Sequence, residues 1–381
     1  MSALTFPRPR QSEAGELIRA QVREFLDGFD WPVDRDAATA FGGYDTQFSE
    51  ALGDRGWIGM GFPREYGGGG YGLVERYVVL EELLAARAPI TAHSVADRQS
   101  GFLLLRYGSE RQREEILPRI ASGKAYFCIG MSEPDSGSDL ASVRTRADRV
   151  DGGWSVNGTK IWTTNAHRSH YMILLCRTSP AGDSRREGLS QFLVDMSTPG
   201  IECRPIADIA GGRHFNEVHL QDVFLPDDAI IGTEGDGWSQ VTSELAFERS
   251  GPERFLSHLG VMEEFVRILK QQPSAEGTRA LGRLVAHLVT LRRMSRSVAS
   301  MIADGKDPAL HAALVKDLGT CFEQEIPEVL RLALQTEPDS DASNAYQATL
   351  AHVMLNSPSS TIRGGTKEVL RSIVARGLGL R

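Results

Sequence analysis

Two short segments hold the residue types best suited to binding and chemistry. Met131-Ser-Glu-Pro-Asp-Ser-Gly-Ser-Asp139 places hydroxyls, small residues and a proline directly after an apolar run. Such a loop can bring backbone N–H groups and hydroxyls close to an extended polar or anionic ligand. The plain alternative is a surface turn, because Ser, Gly, Asp and Pro are turn formers. Lys160-Ile-Trp-Thr-Thr-Asn165 follows shortly after. Its indole and two hydroxyls suit a planar heterocycle, Trp162 offering a face and a threonine a hydrogen bond. The plain alternative there is a core tryptophan. The pair of segments is more specific than either one. His167 and His170 lie close together, but without carboxylate or thiol company, and no H-E-x-x-H occurs, so no metal site is expected.

The elements that must position these segments fall into three zones. Residues 12–125 read as helical: Leu17, Ile18, Val22, Phe25 and Leu26 recur at helix spacing, and 73–88 and 110–122 repeat the pattern. Gly67-Gly68-Gly69-Gly70 must be a loop between helices. Residues 126–232 read as strands, at Tyr126–Met131, Tyr171–Arg177, Ser190–Val194 and Val218–Leu225. Trp154–Trp162 reads as a hairpin turning at Asn157-Gly158, a pair that tolerates the positive φ of a type I′ turn. Pro226 marks the end of the sheet. Residues 233–381 return to the helical period, with long helices over 277–303 and 308–335 joined by a short turn, as in an antiparallel bundle. The expected fold class is therefore α+β, mostly α. It comprises an N-terminal helical domain (1–125), a middle β-barrel-like domain (126–232) and a C-terminal four-helix bundle (233–381). There is no βαβ alternation and no strand–G-x-G-x-x-G–helix, which argues against a Rossmann domain.

Composition narrows the function classes. The chain has 381 residues, 41% hydrophobic and 24% charged, as expected for a folded protein with a large core. A net charge of -8 argues against nucleic-acid binding. No apolar run is long enough to insert in a membrane. The opening MSALTFPRPRQSEAGEL lacks a signal-peptide stretch. Cys128, Cys176, Cys203 and Cys321 are scattered, as in a reduced, cytoplasmic protein.

Taken together, the two chemical segments resemble the flavin-binding signature of the acyl-CoA dehydrogenase family, and further landmarks match in order. They are Gly56-Trp57 with Phe62-Pro-Arg-Glu-Tyr-Gly-Gly68, and Gly108-Ser-Glu-Arg-Gln with Leu117-Pro and Gly123-Lys. Then come Asp222-Val-Phe-Leu-Pro226 with Gly232 and Gly235-Asp-Gly-Trp238, and Arg363-Gly-Gly-Thr-Lys-Glu-Val-Leu-Arg371. The resemblance covers nearly the whole chain. It implies an FAD cofactor contacted by Ile129, Met131, Ser132, Gly137, Ser138, Trp162 and Thr164, and from the bundle side by Thr366 and Glu368. It implies an acyl-CoA substrate lying near Ser138, Phe247, Arg249 and Gly365. The implied reaction is α,β-dehydrogenation, with an electron-transferring flavoprotein as acceptor and a homo-oligomer, dimer or tetramer, as the assembly.

The reaction needs a carboxylate base desolvated enough to work near neutrality. Many family members carry it immediately before the Gly-Thr of the final turn, but here that position is Gly364. Isovaleryl-CoA and long-chain acyl-CoA dehydrogenases carry it on a bundle helix before an arginine. Leu245-Ala-Phe-Glu-Arg249 matches that arrangement, so Glu248 is the candidate base with Arg249 beside it. A solvent-facing glutamate is the plain alternative. Glu133 is better read as a structural acid in a turn and Glu368 as a helix N-terminal carboxylate. No role is evident for Arg363.

Two family features are missing. Gln271–Arg279 lacks the arginine and Phe-Gly-x-Pro stretch that reach a neighbouring subunit's flavin pyrophosphate. Tyr346–His352 lacks the Gln-x-x-Gly-Gly-x-Gly stretch near the adenosine. This departure resembles bacterial members acting on bulky acyl-CoAs, some of them built from two unlike subunits. The alternatives are therefore a partner subunit of a mixed tetramer with little activity alone, or a flavin monooxygenase or oxidase on the same fold. A shift of the base to the bundle makes a branched or bulky substrate the expectation.

Overall fold

The computed structural model describes residues 4–10, 12–31 and 43–380, with the backbone alone at 244–248. Its contacts divide the chain into two compact units. One gathers Met1–Tyr44, Gly72–Ile90 and Ala246–Arg381; the other gathers Asp45–Tyr71 and Thr91–Leu245.

The first unit is helical. Helix α1 (Glu13–Gly28) begins where the Ser12 side chain accepts the Gly15 N–H, and Glu13 and Glu16 complement the positive end of its dipole. Its apolar stripe, Ile18, Val22 and Leu26, is buried, and the helix packs on the later α3 (Leu73–Ala85). An ion cluster around two buried carboxylates ties this pair to the long α8 (Ala275–Ala303): Arg19 and Arg23 bond Glu82, and Arg292 of α8 grips Glu81 through two bonds of 2.7 Å. Four helices share one apolar core. Phe265 comes from α7 (Leu259–Gln271), Leu284 and Leu291 from α8, Phe322, Ile326 and Leu330 from α9 (Ala309–Leu334), and Tyr346 and Leu350 from α10 (Ala345–Asn356). That is the expected four-helix bundle. Helix α11 (Lys367–Gly377) packs on α9, and α1 and α3 belong to the same unit.

The second unit holds a curled seven-stranded sheet and three helices, α2 (Thr46–Gly53), α4 (Gly101–Tyr107) and α5 (Glu110–Ala121). Helix α6 (Gly237–Glu248) starts in this unit and its last residues are counted with the first. The strands are β1 (Phe127–Gly130), β2 (Arg146–Val150), β3 (Gly153–Lys160), β4 (Tyr171–Arg177), β5 (Leu189–Asp195), β6 (Ile201–Ile206) and β7 (Phe215–Pro226). Their order is β1-β4-β2-β3-β7-β6, with β5 on β4. Trp154, Val156, Met172, Leu174, Phe192 and Val218 fill the core.

The expected hairpin at Asn157-Gly158 is not formed. Both residues lie inside β3, at a bulge where the register with β7 shifts between Val156 and Gly158. The Asn157 side chain donates to Asp222 Oδ1 (3.1 Å) and accepts the Asp222 N–H (2.9 Å), which holds the bulge. Gly158 has φ +154°, and a Cβ there would stand 2.4 Å from Thr145 Oγ1. The tight turn is instead at Asp151-Gly152, which joins β2 to β3 in register. Among the described residues no helix is long and apolar enough to cross a membrane.

Candidate active site

In the sheet unit, β1 delivers the chain to Met131 and Ser132, and a loop then runs to Thr145. One buried carboxylate holds that loop. Glu133 accepts the N–H groups of Arg144 (2.6 Å) and Thr145 (2.9 Å) and the Lys160 ammonium (2.8 Å). Lys160, at the end of β3 and fully buried, also donates to the Met131 carbonyl at 3.1 Å. Burial pulls the Lys160 ammonium below its usual range, with Glu133 opposing. Burial works against the Glu133 charge too, but Lys160 and the loop donors hold its carboxyl below the usual range. Glu133 is thus a structural acid. Beyond it, Gly137 and Ser138 are exposed at the loop's outer end, and Met131 packs against Val143, Leu175 and Leu189. Ile129 pairs with Ile173 in β4 and is half-buried.

Lys160 is followed by a strained step. Trp162 has φ +59°, and its flanks are pinned: Ile161 N–H donates to Ser132 O (2.9 Å), and Thr163 N–H to Asn216 O (3.0 Å). A bulky residue in the left-handed region costs on the order of 1–2 kcal/mol, and such strain concentrates at ligand sites. The indole is 57% exposed, edge-on to Phe215 at 5.9 Å between centroids. Neither Ser132 Oγ, Thr164 Oγ1 nor the Trp162 indole N–H has a hydrogen-bond partner among the described residues. An outward-turned aromatic face with unpaired hydroxyls beside it fits a planar polar heterocycle such as a flavin ring.

In the helical unit, the final turn Arg363-Gly364-Gly365-Thr366 lies between a short 3₁₀ segment (Ser357–Thr361) and α11. Gly364 (φ +69°) and Gly365 (φ +104°) take backbone conformations that side chains disfavour. Arg249 Nε donates to the Gly364 carbonyl at 3.0 Å, and Arg249 is buried. Thr366 caps α11 by accepting the Val369 N–H, and Glu368 is exposed in the first turn. A bond from its own backbone N–H and one from Thr366 hold the Glu368 carboxyl below its usual range. The side chains of Phe247 and Glu248 lie outside the described residues; their backbone ends α6, directly before Arg249.

Arg363 acquires a role that its sequence context did not suggest. Its Nη2 donates to Glu323 Oε2 (3.0 Å) and to Ser257 Oγ (3.3 Å). Glu323 sits buried on α9. Burial raises its carboxyl pKa, but Arg363 and then His258 outweigh that and hold it at about 2. His258, also buried, donates Nδ1–H to the Glu323 carbonyl oxygen (2.9 Å). The signal available in the sequence was one of pattern. Lys316 and Glu323 share the stripe of α9 that carries Ala312, Gly319, Phe322 and Ile326, and charged residues on an apolar stripe have partners.

Residues 12–124, 128–223 and 235–379 match the models of the N-terminal, middle and C-terminal domains of acyl-CoA dehydrogenases. The chain belongs to the acyl-CoA dehydrogenase family. It is accordingly an FAD-dependent oxidoreductase. It is 34% identical to acyl-CoA dehydrogenase FadE34 of Mycobacterium tuberculosis over 87% of its own length, and it spans 45% of that longer relative. It is 33% identical to acyl-CoA dehydrogenase FadE29 of the same organism, over 85% of each chain. The solved structure "Tcur3481-Tcur3483 steroid ACAD" superposes with a TM-score of 0.86 at 28% identity, covering 98% of this dehydrogenase and 99% of that chain. The N-terminal helical, middle sheet and C-terminal bundle architecture expected from the sequence is thus the family's own.

Proposed function

We propose that this dehydrogenase oxidises the Cα–Cβ bond of a branched or bulky acyl-CoA, with Glu248 as base and an electron-transferring flavoprotein as acceptor. The observation that supports the base assignment is the 3.0 Å bond from Arg249 to the Gly364 carbonyl. It brings the residue after Glu248 to the final turn, where many relatives carry their glutamate and this chain has a glycine. The nearby carboxylates are otherwise engaged: Glu323 is buried against Arg363, and Glu368 is exposed at a helix start. Bound FAD supplies the acceptor for the β-hydrogen, which leaves as hydride. Glu248 takes the α-proton. Arg249 lies beside it, and the family's hydrogen bonds to the thioester carbonyl stabilise the enolate-like charge. Met131, Ser132, Trp162 and Thr164 hold the flavin ring, and Thr366 and Glu368 are further flavin contacts. Ile129, Gly137 and Ser138 also contact the flavin, Ser138 lying at the CoA entrance as well, and Phe247 and Gly365 flank the acyl group. With no side chain at 364, room passes to the substrate, in line with the steroid dehydrogenase it resembles. A cytoplasmic location suits this chemistry.

The test is anaerobic titration of the FAD-loaded protein with straight-chain, branched and ring-bearing acyl-CoAs. The expected result is loss of flavin absorbance, fastest with ring-bearing or branched esters. Fastest bleaching by a straight-chain ester overturns the substrate class, and no bleaching by any ester overturns the activity for this chain alone. A second reading has its own support. The compared steroid enzyme is named for two chains, and α10, at Tyr346–His352, turns Tyr346, Leu350 and Ala351 to the bundle interior. On that reading this chain assembles with an unlike relative, and co-expression with it restores flavin and activity that the lone chain lacks.

A further inference from the structure

The final turn is unusual in what it turns outward. Ile362 is 67% exposed, while the side chain of its neighbour Arg363 is only 20% exposed. The ordinary preference is the reverse. Three cations meet this short stretch. Lys316 Nζ donates to the Ser360 carbonyl (2.8 Å), Arg249 Nε to the Gly364 carbonyl (3.0 Å), and between them Arg363 turns to Glu323 and Ser257. The backbone on both sides of Arg363 is therefore pinned independently of its side chain. The Arg363–Glu323 pair is not needed to close the turn. What it determines is where the guanidinium goes.

We propose that Glu323 is a positioning residue: it draws the Arg363 guanidinium into the helical unit, so that Gly364, Gly365 and Thr366 offer the reaction their backbone and no added positive charge. This rests on the reading of that turn as part of the reaction site. Ser257 gives the guanidinium a second acceptor, and His258 fixes the backbone of Glu323 through its carbonyl, so the guanidinium meets two acceptors and the residue carrying the charged one is itself held. Without the Glu323 charge, the attraction that draws the guanidinium inward is weakened and the long side chain swings out beside Gly364. A cation there lowers the basicity of a nearby carboxylate base and disturbs the flavin.

The proposal predicts an asymmetry that a merely structural ion pair does not. Glu323→Ala, with Glu323→Gln as the shape-preserving variant should the first not fold, leaves a loose guanidinium. Arg363→Ala leaves none. At temperatures where every variant is folded, both Glu323 variants are expected to lose about tenfold or more in acyl-CoA-driven flavin reduction. They also shift the visible spectrum of the resting FAD enzyme. Arg363→Ala keeps the wild-type spectrum and stays within about threefold in rate, and the double variant E323A/R363A returns to the Arg363→Ala level. Equal losses in E323Q and R363A, tracking melting temperature with the spectrum unmoved, would overturn it. If no acyl-CoA reduces the wild type, the reading of the turn fails, and the resting spectra still decide on Glu323.

Discussion

Two loops of this molecule carry the same device, a buried carboxylate paired with a cation, assembled in opposite senses. In the sheet unit the loop supplies the carboxylate, Glu133, and a strand end supplies the cation, Lys160. In the helical unit the loop supplies the cation, Arg363, and helix α9 supplies the carboxylate, Glu323. The sheet-side pair is sealed: Lys160 is fully buried and Glu133 nearly so. The helical pair is sealed on one side only, since Arg363 keeps a fifth of its surface. The difference teaches what each pair does. A sealed pair whose carboxylate also takes two backbone N–H groups defines a loop's shape, whereas a half-open pair decides where a long charged side chain points.

The comparison is broken most severely by removing the cation from each pair. Lys160→Met strands a buried carboxylate and is expected to cost about 3–5 kcal/mol. Arg363→Ala, where water can reach the vacated space, is expected to cost about 2 kcal/mol. Denaturant midpoints at neutral pH check this, and equal costs would erase the distinction. A smaller contrast lies in the glycines. Gly158→Ala combines a positive φ with a Cβ 2.8 Å from the Thr145 Cα, and about 2–3 kcal/mol is expected. Gly365→Ala also carries a positive φ, but its Cβ meets no backbone, only Arg249 Nη2 at 3.3 Å and Leu370 Cδ2 at 3.7 Å, and about 1–2 kcal/mol is expected.

Acid should find the helical pair first. His258 faces Glu323 and Arg363, and burial pulls its pKa below the ordinary 6.5. The folded form refuses a proton that the unfolded chain accepts, so stability falls as pH drops below 6.5, by at most about 1.4 kcal/mol per pH unit. His258→Gln should flatten that slope in melting curves taken from pH 7.5 down. Glu323, held at about 2 against an ordinary 4.5, adds stability that is present above 4.5 and is lost as pH falls toward 2. The smallest expected effect is on the cofactor. Ser132→Ala and Thr164→Ala should each weaken FAD binding by about 1 kcal/mol, read by titration of the apoprotein, because each removes a single hydrogen-bonding hydroxyl.

Much of this was legible in the sequence where the signal is local. Strand β4, Tyr171–Arg177, is a continuous apolar run, and α8 and α9 show in their helical period. Strands β2 and β6 are not legible that way, because β2 buries only Ala147 and the short alternation of β6, an edge strand, breaks at Pro205. Asn157-Gly158 has the chemistry of a turn, and only the distant Asp222 makes it a bulge. The candidate site divides the same way. The Met131–Asp139 and Lys160–Asn165 segments are contiguous and stood out, but Arg363 looked unexplained because its partner, Glu323, is forty residues away on another helix.

The central proposal is that Glu248 serves as the base in this chain, which has Gly364 where many relatives carry the carboxylate. The measurement is single-turnover flavin reduction of FAD-loaded Glu248→Gln, mixed anaerobically with whichever acyl-CoA bleaches the wild type fastest. The account predicts a rate lower by about 10²–10⁴-fold, with the resting flavin spectrum and melting temperature unchanged. A rate within about fivefold of wild type would contradict it and place the base elsewhere.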